Sequence, residues 1–328
     1  MDKILGIGNA LVDIMTRLKD DQLLEEFNLP KGSMQLVEAD FIKKLSIATD
    51  NLDKSQSSGG SAANTIHGLA RLGAATGFVG KVGDDELGNF FKKDLENNNV
   101  TPELLISKTT SGRAMALVSE DSERTFATFL GAAIEMGSND VKQQWFDGYT
   151  YLHIEGYLVQ NHDLLERTAK LAKKKGLIIS LDLASYNIVE DNLSFLQHFV
   201  KHYVDIVFAN EEEAKAFTGK EPKQALNELA EITDMAVVKV GKEGSMVQKG
   251  TKVWKIDPII ANPVDTTGAG DAYAAGFLYG LTQDYDPEQC GNIGSVMAGK
   301  VIEGMGAKMD DVQWKEVFRN LPETAGKS

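Results

Sequence analysis

The sequence predicts an α/β protein: a mainly parallel sheet covered by helices on both faces, with a small second sheet beside it. Three observations carry this expectation. Short apolar runs recur at residues 3–7, 75–79, 150–154, 177–183, 205–208 and 235–240, the lengths and composition of buried strands. Residues 164–175, 211–217, 223–232, 272–281 and 287–303 place apolar side chains three and four apart, as helices with one buried face do. Two stretches, near 11–36 and 112–130, break the rhythm of strand and helix.

Taken in order, the run at 3–7 follows Met1 with no cleavable apolar segment before it, so a cytoplasmic protein is expected. The off-rhythm stretches read as short antiparallel strands and a hairpin. Met115-Ala-Leu-Val and Thr125-Phe-Ala-Thr-Phe alternate on either side of Glu120-Asp-Ser-Glu-Arg124. This divides the chain into a main domain of residues 1–10, 40–110 and 131–328, and lid segments at 11–39 and 111–130. A small sheet there either closes over a substrate and excludes water or is a decorative hairpin, and pattern alone leaves both readings open. The helical stretch 164–175 ends in Lys173-Lys174-Lys175 before Gly176, where lysines offset the helix dipole and glycine caps the end. Cys290 is the sole cysteine, which excludes an intramolecular disulfide, and its place inside 287–303 marks it as a packed residue.

Composition narrows the function classes. At 328 residues the chain suffices for one large domain, with or without a smaller accessory one. A formal net charge of -14 with no segregated basic face argues against binding nucleic-acid phosphates. No apolar run approaches the ~20 residues of a membrane span. The oligomeric state is not legible.

The most informative motif is Asp265-Thr-Thr-Gly-Ala-Gly-Asp271, which runs directly into a helical stretch. Glycines let the main chain approach an anion closely, and the free amides of a helix start stabilise transferred charge. Asp271 stands where it can take a proton from an attacking hydroxyl. A second constellation, Ser57-Ser-Gly-Gly-Ser-Ala-Ala-Asn64, puts a glycine pair before a helix whose first turn presents Asn64. Glycine amides and an Asn amide suit the hydroxyl pair of a sugar or ribose, although a well-capped helix entry needs no ligand.

These two motifs in this order resemble the PfkB, or ribokinase-like, family of carbohydrate and nucleoside kinases. The resemblance extends to Gly8-Asn-Ala-Leu-Val-Asp13, Asn210-Glu-Glu-Glu213, Gly241-Lys-Glu-Gly244 and Gly304-Met-Gly-Ala307, and so spans nearly the whole chain. It implies a ribokinase-like α/β fold, a doubly covered and mainly parallel sheet with a small β-sheet lid. It further implies that Asp271 is the catalytic base and that Gly268, Ala269 and Gly270 form an anion hole. Asn9, Asp13, Gly59, Gly60 and Asn64 would hold the acceptor. Arg124 would neutralise phosphate during closure, or simply be a charged hairpin tip. ATP would be held by Asn210, Lys239, Gly241, Gly244, Asp265 and Thr266, with Glu213 organising Mg2+ through water. A monovalent cation is compatible with the resemblance.

One departure stands out: many family members carry threonine where this chain has Lys239, so lysine either supplies a charge there or points elsewhere. Gly8-Asn9, Asp13, Ser33-Met-Gln-Leu and Glu123-Arg-Thr-Phe-Ala-Thr-Phe-Leu-Gly-Ala-Ala133 resemble adenosine-kinase-type members. The expected reaction is therefore phosphorylation of the adenosine 5′-hydroxyl to give AMP, with a sugar kinase as the alternative. A pocket-retaining regulator without turnover is a further one.

Competing motifs fare worse. Gly6-Ile-Gly8-Asn-Ala-Leu11 lacks the third glycine of a dinucleotide fingerprint. Gly294 to Val301 resembles a P-loop but lacks its final Ser/Thr and sits in a helical pattern, which reads as close helix packing. His198 and His202 have metal-ligand spacing without a third partner, the pattern of surface histidines.

Overall fold

Apolar runs too short for helices pair into two sheets in the computed structural model, which describes residues 2–121 and 123–321. Met1, residues 322–328 of the expected main domain and Ser122 of the 120–124 run lie outside the described residues. The described strands are β1 (Lys3–Ile7), β2 (Leu11–Arg17), β3 (Met34–Leu36), β4 (Lys54–Gly59), β5 (Ala75–Gly83), β6 (Val100–Ser107) and β7 (Gly112–Val118). They continue with β8 (Arg124–Phe129), β9 (Tyr151–Glu155), β10 (Ile178–Asp182), β11 (Ile206–Asn210), β12 (Met235–Lys239), β13 (Ser245–Lys249) and β14 (Lys252–Ile256).

The large sheet has nine strands in the order β14-β13-β12-β11-β10-β9-β1-β5-β6. Every pair from β12 to β6 is parallel, and β13 and β14 extend one edge antiparallel. Parallel strands are apolar on both faces because helices cover both. Thus Ile206, Phe208, Met235 and Val237 join one core, while their neighbours Val207, Ala209, Ala236 and Val238 join the other.

Helices Ser61–Arg71, Ala269–Thr282 and Pro287–Val301 supply Ile66, Phe277 and Ile293 to the first core. Helices His162–Lys174 and Leu193–Tyr203 supply Leu165 and Phe199 to the second. Phe208 and Phe277 are fully buried and meet edge to face at 5.5 Å. Burial of each side chain stabilises by about 1.5–3 kcal/mol. The P-loop-like stretch is a packing device: a Cβ on Gly294 would stand 2.9 Å from the Tyr273 carbonyl oxygen. Cys290 is buried in the same helix, and burial pushes its thiol up to about 12.

The small sheet has the order β3-β8-β7-β2-β4. β7 and β8 form the expected antiparallel hairpin, but β2 pairs with β7 and β3 with β8 in parallel, which corrects the all-antiparallel expectation. β4 also belongs to this sheet, paired with β2 from Leu11↔Gly59 to Thr16↔Lys54, whereas the sequence reading placed residues 40–110 in the main domain. The reason is composition: Lys-Ser-Gln-Ser-Ser-Gly has no apolar run to announce a strand, and its polarity suits an exposed sheet edge. β6, which no long apolar run announces, lies at an edge of the large sheet, where its Pro102 costs little because an edge strand has a free side. Among the described residues no helix is long and apolar enough to cross a membrane.

Candidate active site

Four adjacent parallel strands end in a polar residue: β9 in Glu155, β10 in Asp182, β11 in Asn210 and β12 in Lys239. Ligands of open α/β sheets collect at these carboxyl ends, and two clefts do so here. The first, about 510 Å³, is lined by Asp182, Asn210, Glu213, Lys239, Gly241 and Thr266, and by Gly268 to Asp271. Gly268 caps the helix Ala269–Thr282 at φ 74°, and a Cβ there would stand 2.5 Å from that of Ala307, so only glycine fits. The Gly268, Gly270 and Asp271 amides meet no protein acceptor among the described residues, whereas the Ala269 amide already donates to the Thr266 carbonyl at 3.2 Å. An anion at this helix start would therefore meet the Gly268, Gly270 and Asp271 amides rather than that of Ala269.

Asn210 and Glu213 form a reciprocal helix cap. The Glu213 amide donates to Asn210 Oδ1 at 2.8 Å, and Asn210 returns its backbone and side-chain N–H to the two Glu213 oxygens at 2.8 and 2.7 Å. Burial, with Asp182 nearby, pushes the Glu213 carboxyl up to about 7. No group of three or more metal-ligating side chains occurs among the described residues. The Glu213 and Asp182 carboxylates lining the cleft are hard oxygen donors, the chemistry that suits a magnesium ion.

Two expected nucleotide contacts lie elsewhere. Gly244 holds the turn from β12 to β13 at φ 90°, where a Cβ would come 2.0 Å from the Ile256 carbonyl oxygen, and it does not line the cleft. Asp265 accepts from the Thr267 and Gly306 amides at 2.9 and 2.6 Å and pairs with Arg124, so its carboxylate staples the loop together. Arg124 also donates to Thr267 Oγ1 at 3.0 Å. It is thus not an exposed hairpin tip and lines neither cleft; it fastens β8 to the Asp265 loop.

The second cleft, about 1130 Å³, opens between the two sheets. Leu11, Met34, Leu36 and Ala114 wall it from the small sheet, and Ile134 and Met136 from the large domain. Asn9 and Gly60 also line it. Glu155, almost fully buried, accepts from Asn9 Nδ2 at 2.6 Å and from the Ala62 amide at 3.1 Å, and burial pushes it up to about 7. Asp13 packs its carboxylate where a Gly59 side chain would be, 2.3 Å from the notional Cβ. Burial raises Asp13 to about 7, with Lys308 opposing the rise and Asp271 adding to it. Lys308 is itself held by Asp94 at 2.8 Å and Ser58 at 2.7 Å.

Ser61 and Tyr157 line both clefts, so the two cavities meet beside Asp271. Ser61 Oγ donates to Asp271 Oδ1 at 2.7 Å and Asn64 Nδ2 to Asp271 Oδ2 at 3.0 Å. Asn64 Oδ1 is buried without a partner among the described residues. Burial raises the Asp271 carboxyl to about 6, with Asn64 and Ser61 holding it from going higher. A carboxylate so placed can hold or take a proton near neutral pH while facing amides that accept negative charge.

Sequence reasoning missed Ser61, Glu155, Tyr157, Asp182 and Lys308 as site residues. For Glu155 and Asp182 a signal existed, an acid closing an apolar strand of a parallel sheet. Nothing in the sequence singles out Tyr157.

A family model described as pfkB family carbohydrate kinase matches residues 39–314. The adenosine kinase from Sinorhizobium meliloti, a solved structure, is 35% identical, with TM-score 0.83, covering 97% of this chain and 98% of its own. A solved "probable sugar kinase protein" from Rhizobium etli is 32% identical, with TM-score 0.85 and the same two coverages, 97% and 98%. An "uncharacterized sugar kinase" of Archaeoglobus fulgidus is 30% identical over 74% of this chain and 96% of its own length.

Proposed function

We propose, for a chain that belongs to the pfkB family of carbohydrate kinases, that it transfers the γ-phosphate of ATP to the 5′-hydroxyl of a nucleoside, adenosine foremost, giving AMP and ADP. The family makes it a phosphotransferase acting on a hydroxyl of a small molecule. The observation that carries the reading is the junction of the two clefts at Ser61 and Asp271, one cleft edged by helix-start amides and the other walled by apolar side chains.

In this reading the polyphosphate lies in the smaller cleft with its γ-phosphoryl group at the Gly268 and Gly270 amides. The nucleoside lies in the larger cleft, its base against Leu11, Met34 and Leu36, and its ribose beside Asn9, Gly60 and Asp13. Asp271 takes the proton from the 5′-oxygen as that oxygen bonds to phosphorus. The bond from phosphorus to the β-phosphate oxygen breaks, and ADP leaves with the electron pair. Preorganised amides facing the transferring oxygens contribute ~3–4 kcal/mol apiece to the transition state. Glu213 would hold Mg2+ through water, and the bound ion would neutralise polyphosphate charge.

The 35% identity with an adenosine kinase along almost the whole chain supports adenosine over other acceptors. A free sugar is the second reading, favoured by relatives of 32% and 30% identity that are named sugar kinases. The test is ADP release from ATP and magnesium with adenosine, other nucleosides, ribose, fructose and no acceptor. Stimulation by adenosine is expected; stimulation by a sugar alone would keep the mechanism and replace the acceptor.

A further inference from the structure

The donor cleft poses an electrostatic problem. Asp182, Glu211, Glu212, Glu213 and Asp271 line it, and a polyphosphate brings more negative charge. Among the described lining residues Lys239 is the one cation. Its ammonium stands 3.0 Å from Asp182 Oδ2, and 3.1 Å from where a Cβ on Gly270 would be, which places it against the start of the helix Ala269–Thr282. Asp182 is fixed in turn, its other oxygen accepting from the Ala184 amide at 3.0 Å. Strand geometry delivers both groups: Lys239 closes β12 and Asp182 closes β10, with β11 between them, so both end on the same rim of the sheet.

We infer that Lys239 is a donor-binding residue, a resident cation that Asp182 holds beside the Gly270 amide so that it meets the β- and γ-phosphates of a nucleoside triphosphate. Asp182 is its positioning residue. The side chain carries three donors, of which the Asp182 contact uses one, leaving two for phosphate oxygens. A lysine ammonium is a compact charge suited to phosphate, and in a cleft rimmed by carboxylates it offsets repulsion that would otherwise fall on the metal alone. Burial works against its charge, but Asp182 and Glu213 outweigh it and keep the ammonium above its ordinary range.

This inference rests on the kinase reading of the cleft, so its test separates the two. Titration of magnesium-ATP into the protein without acceptor is expected to weaken at least tenfold in Lys239→Met, with adenosine binding unchanged. In turnover, kcat/KM for ATP is expected to fall roughly a hundredfold. Lys239→Met leaves Asp182 buried without its partner, so the double variant Lys239→Met/Asp182→Asn guards against misfolding. It should fold and remain weak toward ATP. Recovery of wild-type ATP binding in the double variant would mean that Lys239 only neutralises Asp182, and would overturn the inference. If wild-type protein phosphorylates no acceptor yet binds magnesium-ATP in a Lys239-dependent way, the acceptor reading fails and the inference stands.

Discussion

The two clefts differ in what builds them. The donor cleft is edged by charged or polar residues at the ends of β10, β11 and β12 and by one glycine-opened helix start, all attached to a single sheet. The acceptor cleft draws its walls from both sheets and is mostly apolar, with Met34 and Leu36 left 60% and 62% exposed on β3. Apolar side chains left exposed at a cavity have a surface still to bury, whereas the donor side pairs Lys239 with Asp182 and leaves its other acids to be offset by what binds. The difference teaches a division of labour. On the proposed reading, one sheet edge carries the phosphate chemistry, and a second sheet that depends on long-range pairing selects what is phosphorylated.

Substitutions at the junction and on each side test that division. Asp271→Asn strikes the junction and should lower kcat about 10³- to 10⁴-fold while both ligands still bind, as titration of each would show. Its pH behaviour is a second mark. Wild-type kcat should rise as pH climbs through about 6 and level off, because the base must lose its proton, and the variant should lack that rise. A folded pKa raised from 3.8 to about 6 also gives stability that is present below 3.8 and lost as pH rises through about 6. Chemical denaturation of Asp271→Asn should therefore fall less steeply over that window.

Gly60→Ala tests the acceptor side alone. Gly60 sits at φ 99°, and a Cβ would stand 2.1 Å from the Asn9 carbonyl oxygen, so the loop must move. Destabilisation of about 1–3 kcal/mol and an acceptor KM raised roughly tenfold or more are expected, with ATP binding unchanged. The smallest expected effect is Leu36→Ser, which removes part of the apolar wall. Acceptor KM should rise roughly three- to tenfold with stability altered by less than about 0.5 kcal/mol, since the side chain is exposed in the free protein. A matching loss of ATP affinity in either variant would show the clefts to be coupled.

Much of the donor side was readable residue by residue because its signals are local. Asp271 follows Gly268-Ala-Gly270 without a break, and Asn210 caps its own helix through Glu213 three residues on. The acceptor side was read less well. β4 went unrecognised because Lys-Ser-Gln-Ser-Ser-Gly becomes a strand only when β2 lies beside it. From sequence Arg124 reads as a phosphate contact or a hairpin tip, and only its meeting with Asp265, 141 positions away, shows what it fastens.

The alternating α/β plan, the glycine-opened helix start and the carboxylate placed on it are legible in the chain, because periodicity and backbone freedom act within a few residues. Tertiary structure alone decided that Ser61 and Asn64 hold Asp271, that Asp182 holds Lys239, and that Glu155 is buried against Asn9. Those are contacts between charges and polar groups 57 to 210 positions apart. No periodicity encodes them, since partner choice there depends on which strand ends the sheet order brings together and on how strongly burial penalises a charge left alone.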